Sequence, residues 1–187
     1  TSGAAEPSGF LGIAPAEQVD RRRAAWVTAV LLLAFLVAGP FATRPLPAVP
    51  AFVPAYDAAM RVLASIAALM LHAQYHDLHA RRFLWLACGY LFSAMFALVH
   101  GLTFPDAFVS GSLFGGLQTT AWLWIVWHGA WPVFVIAYAL DGAGLKTDGR
   151  PSVSDSWHLH RIAYPVTLVA VAVVTLALVR FDSALPE

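Results

Sequence analysis

Seven histidines are the residues of this chain best suited to chemistry, and their spacing sorts them into two groups. In "HAQYHDLH", His72, His76 and His79 recur at intervals of four and three, which lines three imidazoles along one face of a helix. "WHLH" adds His158 and His160 further along the chain. Imidazoles repeated on one face, with a second pair nearby, form a donor set that a transition metal could use. The bland reading is that these are solvated histidines beside arginines at a membrane surface, and it is the one preferred here.

The second group, His100 and His128, lies inside apolar runs. An ionisable residue at membrane depth is a functional candidate by default. A haem between the two rings would need them at one depth. At about 1.5 Å per residue, His128 lies about 15 Å below the start of its span and His100 a few ångströms below the end of the preceding one, an offset of about 10 Å that argues against a shared iron. The competing reading is a neutral histidine bonded to a carbonyl or hydroxyl, with His100 and Gln118 bonding each other and fixing the packing of their helices. Arg61 is the other anomaly: Asp57 precedes it by four residues, a spacing that permits an ion pair, although snorkelling of the guanidinium to water is slightly preferred. Asp57, Arg61, His100, Gln118 and Thr119 fall at similar depth and would form a polar pocket if they face inward. Trp85 and Trp157 suit one interfacial belt and Trp122 and Trp124 the other, whereas Trp127 and Trp131 share a face at four-residue spacing and read as packing residues.

The elements that must position these side chains are membrane spans. With 59% hydrophobic residues, 12% charged residues and a mean hydropathy of +0.69, the chain departs from the composition of soluble domains. Five apolar stretches, at about 25–42, 55–73, 83–102, 118–140 and 162–179, are each long enough to cross a bilayer. Backbone groups in lipid must be satisfied within the segment, and the runs do not alternate as barrel strands do, so the fold expected is an all-α integral membrane bundle of five transmembrane helices. Arg21, Arg22, Arg23, Arg81, Arg82, Lys146, Arg150 and Arg161 lie on one side against Arg44 and Arg180 on the other, which puts the N-terminus in the cytoplasm. Residues 1–24 are expected to be a disordered cytoplasmic lead, and residues 25–187 the transmembrane domain. Because Glu187 then emerges outside, the chain is expected to continue through one or three more helices.

Between the spans, "TRPLPAVPAFVPAY" (43–56) predicts a stiff proline strap, and "LTFPDAFVSGSLFGGLQ" (102–118) an apolar loop with Phe104, Phe108 and Phe114 facing lipid or helix ends. "DGAGLKTDGRPSVSDSWHLHR" (141–161) reads as a polar, flexible loop. Gly39-Pro40 should end or bend the first span, and Pro132 should kink the fourth near His128. The single cysteine, Cys88, excludes an intrachain disulfide. No phosphate-binding glycine loop, Ser-His-Asp order or CxxC occurs, and the basic residues are too scattered to bind nucleic acid.

Three segments carry a family resemblance: "FATRPLPAVPAFVPAYDAA", "ACGYLFSAMFALVHGLTFPDAF" and "GGLQTTAWLWIVWHGAWPVFVIAYAL". Together they resemble the MASE4 membrane-associated sensor domain over about residues 41–140, with a weaker fit to 179. The family pattern falls on His100, Thr103, Phe104, Pro105, Gln118, Thr119, Thr120, Trp122, Trp127, His128 and Pro132. The second span departs from it, with Leu63-Ala64 where the family carries an Asn-Asp pair.

The resemblance implies a multi-pass sensor of the bacterial inner membrane that regulates a cytoplasmic output module, a diguanylate cyclase or a histidine kinase, absent from this chain. The domain itself would have no catalytic residues, no cofactor and no metal. Its partners would be the lipid bilayer, the output domain of the parent chain and a second copy in a homodimer. The candidate signal-sensing residues are His100, His128, Arg61, Gln118, Thr119, Trp122 and Trp127. Two other classes stay open: an intramembrane metal or haem protein, desaturase-like or cytochrome b-like, and a transporter or assembly subunit.

Overall fold

The computed structural model describes residues 18–43, 49, 51–78, 80–144 and 153–185, the side chains of 143–144 and 153–158 excepted. Its helices are α1 (Gln18–Ala38), α2 (Phe52–Leu78), α3 (Arg81–Thr103), α4 (Leu117–Gly144) and α5 (Val153–Arg180), with short 3-10 turns at Gly39–Phe41 and Asp182–Ala184. Each, α1 together with the 3-10 turn that follows it, gives a candidate membrane span of at least 22 residues. At about 1.5 Å per residue that is about 33 Å, enough for a hydrocarbon core of about 30 Å. The all-α membrane architecture expected from the sequence is therefore the architecture found.

Helix ends differ from expectation in three places. First, α2 begins at Phe52, inside the proline strap, because Pro54 falls in its first turn where no helical partner needs its N–H. Pro45, Pro47 and Pro50 lie outside the described residues. Second, α5 begins at Val153, so "WHLH" is helical rather than loop. Third, α1 begins at Gln18, which places Arg21, Arg22 and Arg23 on its opening turns instead of in a lead. As expected, α1 ends at Ala38, and Pro40 opens the 3-10 turn that follows.

Residues 1–48 and 49–187 form separate compact units. Within the first, α1 has no buried residue. In the second, α3 is the axis, packing against α2, α4 and α5. Its apolar window is 61% buried, against 17% or less for the other three. Lipid is as apolar as leucine, so helices associate in it by close van der Waals contact, which small residues permit. The buried face of α3 supplies them in Ala87, Gly89, Ala94, Ala97 and Gly101. A Cβ on Gly89 would stand 2.9 Å from the Phe134 Cβ, so the closeness of α4 depends on that glycine. Around this axis Phe92, Phe96, Leu123, Trp127, Val171 and Leu178 form the larger core, and Tyr75, Phe83, Leu84 and Cys88 a smaller one.

Between α3 and α4 the chain turns sharply. Phe104 is extended, as a residue before proline must be. Asp106 adopts a left-handed backbone (φ 58°), which Asp tolerates better than most residues. Its N–H donates to the Gly111 carbonyl (2.7 Å) and its carboxylate accepts from the Gly111 N–H (2.9 Å), closing a small loop. Phe108 and Phe114 are exposed as expected, whereas Phe104 is half-buried with its ring 6.1 Å from that of His100.

Candidate functional site

The last turn of α3 places His100 against the first turns of α2. Its Nδ1 donates to Asp57 Oδ2 at 2.7 Å, and both residues are almost fully buried, 6% and 2% exposed. Among the described residues this is the one buried acid–base pair. A buried carboxylate is costly unless it is paired, so the two side chains hold each other in place. The carboxylate accepts, so a ring proton sits on Nδ1. Gly101 makes room: a Cβ there would touch the Asp57 side chain at 3.3 Å.

Two pairings that the sequence allowed are not the ones found. His100 pairs with Asp57, not Gln118, and Asp57 pairs with His100, not Arg61. Helical spacing brings Arg61 within reach of Asp57 along one helix, but α3 presents a closer partner from across the interface. Arg61 and Gln118 are both half-buried and neither contributes to the pair.

A threonine clasp continues the polar layer. The Thr103 hydroxyl donates to the His100 carbonyl (3.0 Å), and the Thr120 hydroxyl donates to the Thr103 carbonyl (2.9 Å), tying α4 to α3. Thr119 points the other way, its hydroxyl within reach of the Leu178 carbonyl (3.2 Å) and Asp182 Oδ1 (2.5 Å). The same Oδ1 accepts the backbone N–H groups of Thr119 (2.6 Å) and Gly116 (3.2 Å). Those N–H groups open α4, where a helix has no internal acceptors and Gly116 brings no capping side chain. Asp182 caps α4 from a distant part of the chain. The Thr119 hydroxyl first, then its N–H and that of Gly116, hold the Asp182 carboxyl below its ordinary range against a smaller opposing effect of burial.

Beside the pair lies a shallow hollow of about 490 Å³ lined by His100, Phe104, Pro105, Thr120, Trp124 and their apolar neighbours. Of the seven candidate residues, His100 alone lines it. Trp127 stands behind, buried in the core with its ring 6.3 Å from His100. Thr119 works on the α5 side, and Trp122 packs against the core cluster. His128 is exposed on the outer face of α4, its Nδ1 bonded to the Trp124 carbonyl (2.8 Å) and its ring 4.2 Å from that of Trp124. That is the carbonyl-bonded state weighed from sequence, and it takes His128 out of the inward-facing set. Asp57, read from the sequence into the polar pocket, was not among the seven candidates, and neither were Thr120, Trp124 and Asp182. Asp57 carried a signal, an acid within an apolar helix; Asp182, in a stretch that reads as an outer loop, carried none.

At the other end of the bundle His72 and His76 of α2 meet His160 of α5, their ring centroids 5.2–6.1 Å apart. Tyr164 fixes His72 through a 2.8 Å bond between its hydroxyl and Nδ1, and the buried Tyr75 packs 6.1 Å from His160. The histidine grouping read from spacing is thus real for three rings, while His79 and the side chain of His158 lie outside the described residues. Among the described residues no set of three His, Cys, Asp or Glu side chains is arranged to hold a metal ion.

Comparison with known proteins agrees with this architecture. No curated protein and no solved structure matches the chain. Residues 47–184, which begin at the boundary between the two compact units and reach past Asp182, match the family model described as MASE4, membrane-associated sensor, integral membrane domain. Five apolar helices, a layer joining the "LTFP" and "QTTAW" segments, and a match over most of its length establish that this chain belongs to the MASE4 family of membrane-associated sensor domains.

Proposed function

We propose that the His100–Asp57 layer and the hollow beside it are where this sensor domain perceives its signal, and that the response is passed to a cytoplasmic output module in the parent protein. The observation that carries this reading is a buried ionisable pair at the wall of a hollow, in a bundle whose core clusters are apolar. Nothing in helix packing alone demands a histidine and an aspartate there, and such groups in membrane spans mark sites of function. A ligand reaching the His100 ring would alter the bond to Asp57 and so the contact between α2 and α3. Through Thr103 and Thr120 the same layer reaches α4, whose far end leads to the side that the basic residues assign to the cytoplasm. A small helix displacement is a known route for such coupling.

The test is made in the parent protein with its output module attached. His100→Ala and Asp57→Asn should each shift basal output or abolish the response at normal membrane levels. Unchanged output and response in both variants would remove the pair from the sensing role. Reduced membrane levels with normal specific output would assign it to packing alone.

A further inference from the structure

A crevice of about 510 Å³ runs between α3, α4 and α5 at the end of the bundle opposite His100. Arg81 stands at its mouth, and Cys88, Phe92, Val133, Val166 and Ala170 are among its walls. No acidic residue lines it, and the hydroxyl of Thr167, which does, is already donated to the Ala163 carbonyl (2.8 Å). The interior therefore suits hydrocarbon and the mouth suits an anion. We propose that this crevice binds one anionic phospholipid, with an acyl chain between the helices and the phosphate at Arg81.

Dimensions select that occupant. The lining runs from Arg81 to Phe92 on α3 and from Leu159 to Ala170 on α5, eleven residue steps on each helix. That is about 16 Å at 1.5 Å per step. Half of a hydrocarbon core of about 30 Å is about 15 Å, the depth reached by the chains of one leaflet.

Charge at the mouth points the same way. Arg81 is exposed and makes no ion pair among the described residues. Arg82 follows it with its Nε buried and lacking an acceptor. Both occupy the first turn of α3, which has no acidic residue and whose N-cap, Ala80, makes no side-chain bond. A helix N-terminus carries about half a positive charge, which two arginines reinforce instead of offsetting. A phosphate at the mouth would compensate Arg81 and the helix end, whereas the choline of a zwitterionic headgroup would cancel much of the gain. The site is independent of the His100 hollow and holds whether or not that hollow senses anything.

The experiment places the full chain in nanodiscs of equal phosphatidylglycerol and phosphatidylcholine, extracts it in mild detergent and counts retained lipids by native mass spectrometry. One phosphatidylglycerol should persist in preference to phosphatidylcholine. Arg81→Gln should lower that preference about fivefold, the effect of one basic side chain near a charged surface. Val166→Trp, at an exposed position of the wall, should reduce retention of either lipid by blocking the chain. Equal retention of the two lipids by the unmodified chain would overturn the proposal, as would a preference that Arg81→Gln leaves intact. So would a dimer that Val166→Trp dissociates without changing lipid retention, since a second copy would then be the occupant.

Discussion

The two ends of the bundle solve the burial of polar groups differently. Where α2 meets the last turn of α3, Asp57, His100, Thr103, Thr119, Thr120 and Asp182 form a layer in which donors and acceptors match. At the Arg81 end, Arg82 Nε and His160 Nδ1 are buried without a hydrogen-bond partner; Thr175 Oγ1, three residues before Leu178 on α5 and so towards the other end, is the third such atom among the described residues. Buried polar groups specify a structure when every member is satisfied and destabilise it when they are not. The first end consequently sets the register of the bundle through bonds that a signal would have to disturb, and the second retains buried polar atoms still to be satisfied.

If that contrast holds, the largest loss of stability comes from cutting the paired layer. Asp57→Ala leaves His100 buried alone and should cost about 3 kcal/mol in unfolding from detergent micelles, whereas Asp57→Asn, which keeps an acceptor in place, should cost far less. A similar loss in both would mean that shape rather than pairing matters. Next comes close approach: Gly89→Ala drives a methyl into Phe134 and Trp131 and should cost about 2 kcal/mol, read as a lowered Tm. Thr120→Val removes the bond to the Thr103 carbonyl while keeping the volume, and about 1 kcal/mol is expected in the same assay.

The opposite end should be more forgiving. Tyr164→Phe deletes the partner of His72 and should cost only about 0.6 kcal/mol, the average for such bonds within membranes. A cost equal to that of Asp57→Ala would erase the distinction between the ends. The smallest effect is a pH dependence. The Asp182 carboxyl is held below its ordinary value, so the stability it lends is fully present above about pH 3.9 and is lost as the pH falls through its lower folded value. Amide exchange at Gly116 and Thr119 should accelerate there relative to an Asp182→Asn control, which should show no such step.

Much was legible in the chain before any fold was considered. Twenty-residue apolar runs dictate spans, because an unbonded backbone in lipid is prohibitive, and all five spans are present as helices. Gly39-Pro40 ended α1 because a proline has no N–H to continue it. The "QTTAW" and "LTFP" segments marked the family, and the family match confirms it. The histidine spacing of α2 correctly put His72 and His76 on one face, since helical periodicity is a local property.

Partner choice was not legible, because it depends on which faces of separate helices meet. Nothing local tells Asp57 to prefer His100, forty-three residues away, over Arg61, four away. His128 and His100 look equivalent as intramembrane histidines, yet the rotation of α4 turns one outward and the packing of α3 turns the other inward. Asp182 shows the limit most plainly: it follows the last span and reads as loop, and it becomes the cap of α4 only because α5 returns beside the start of that helix. Composition and periodicity determine that helices form and where they lie relative to lipid, since those are properties of each segment and its solvent. Which polar atoms find one another is decided by interhelical geometry, where a shift of a few ångströms makes or breaks a hydrogen bond.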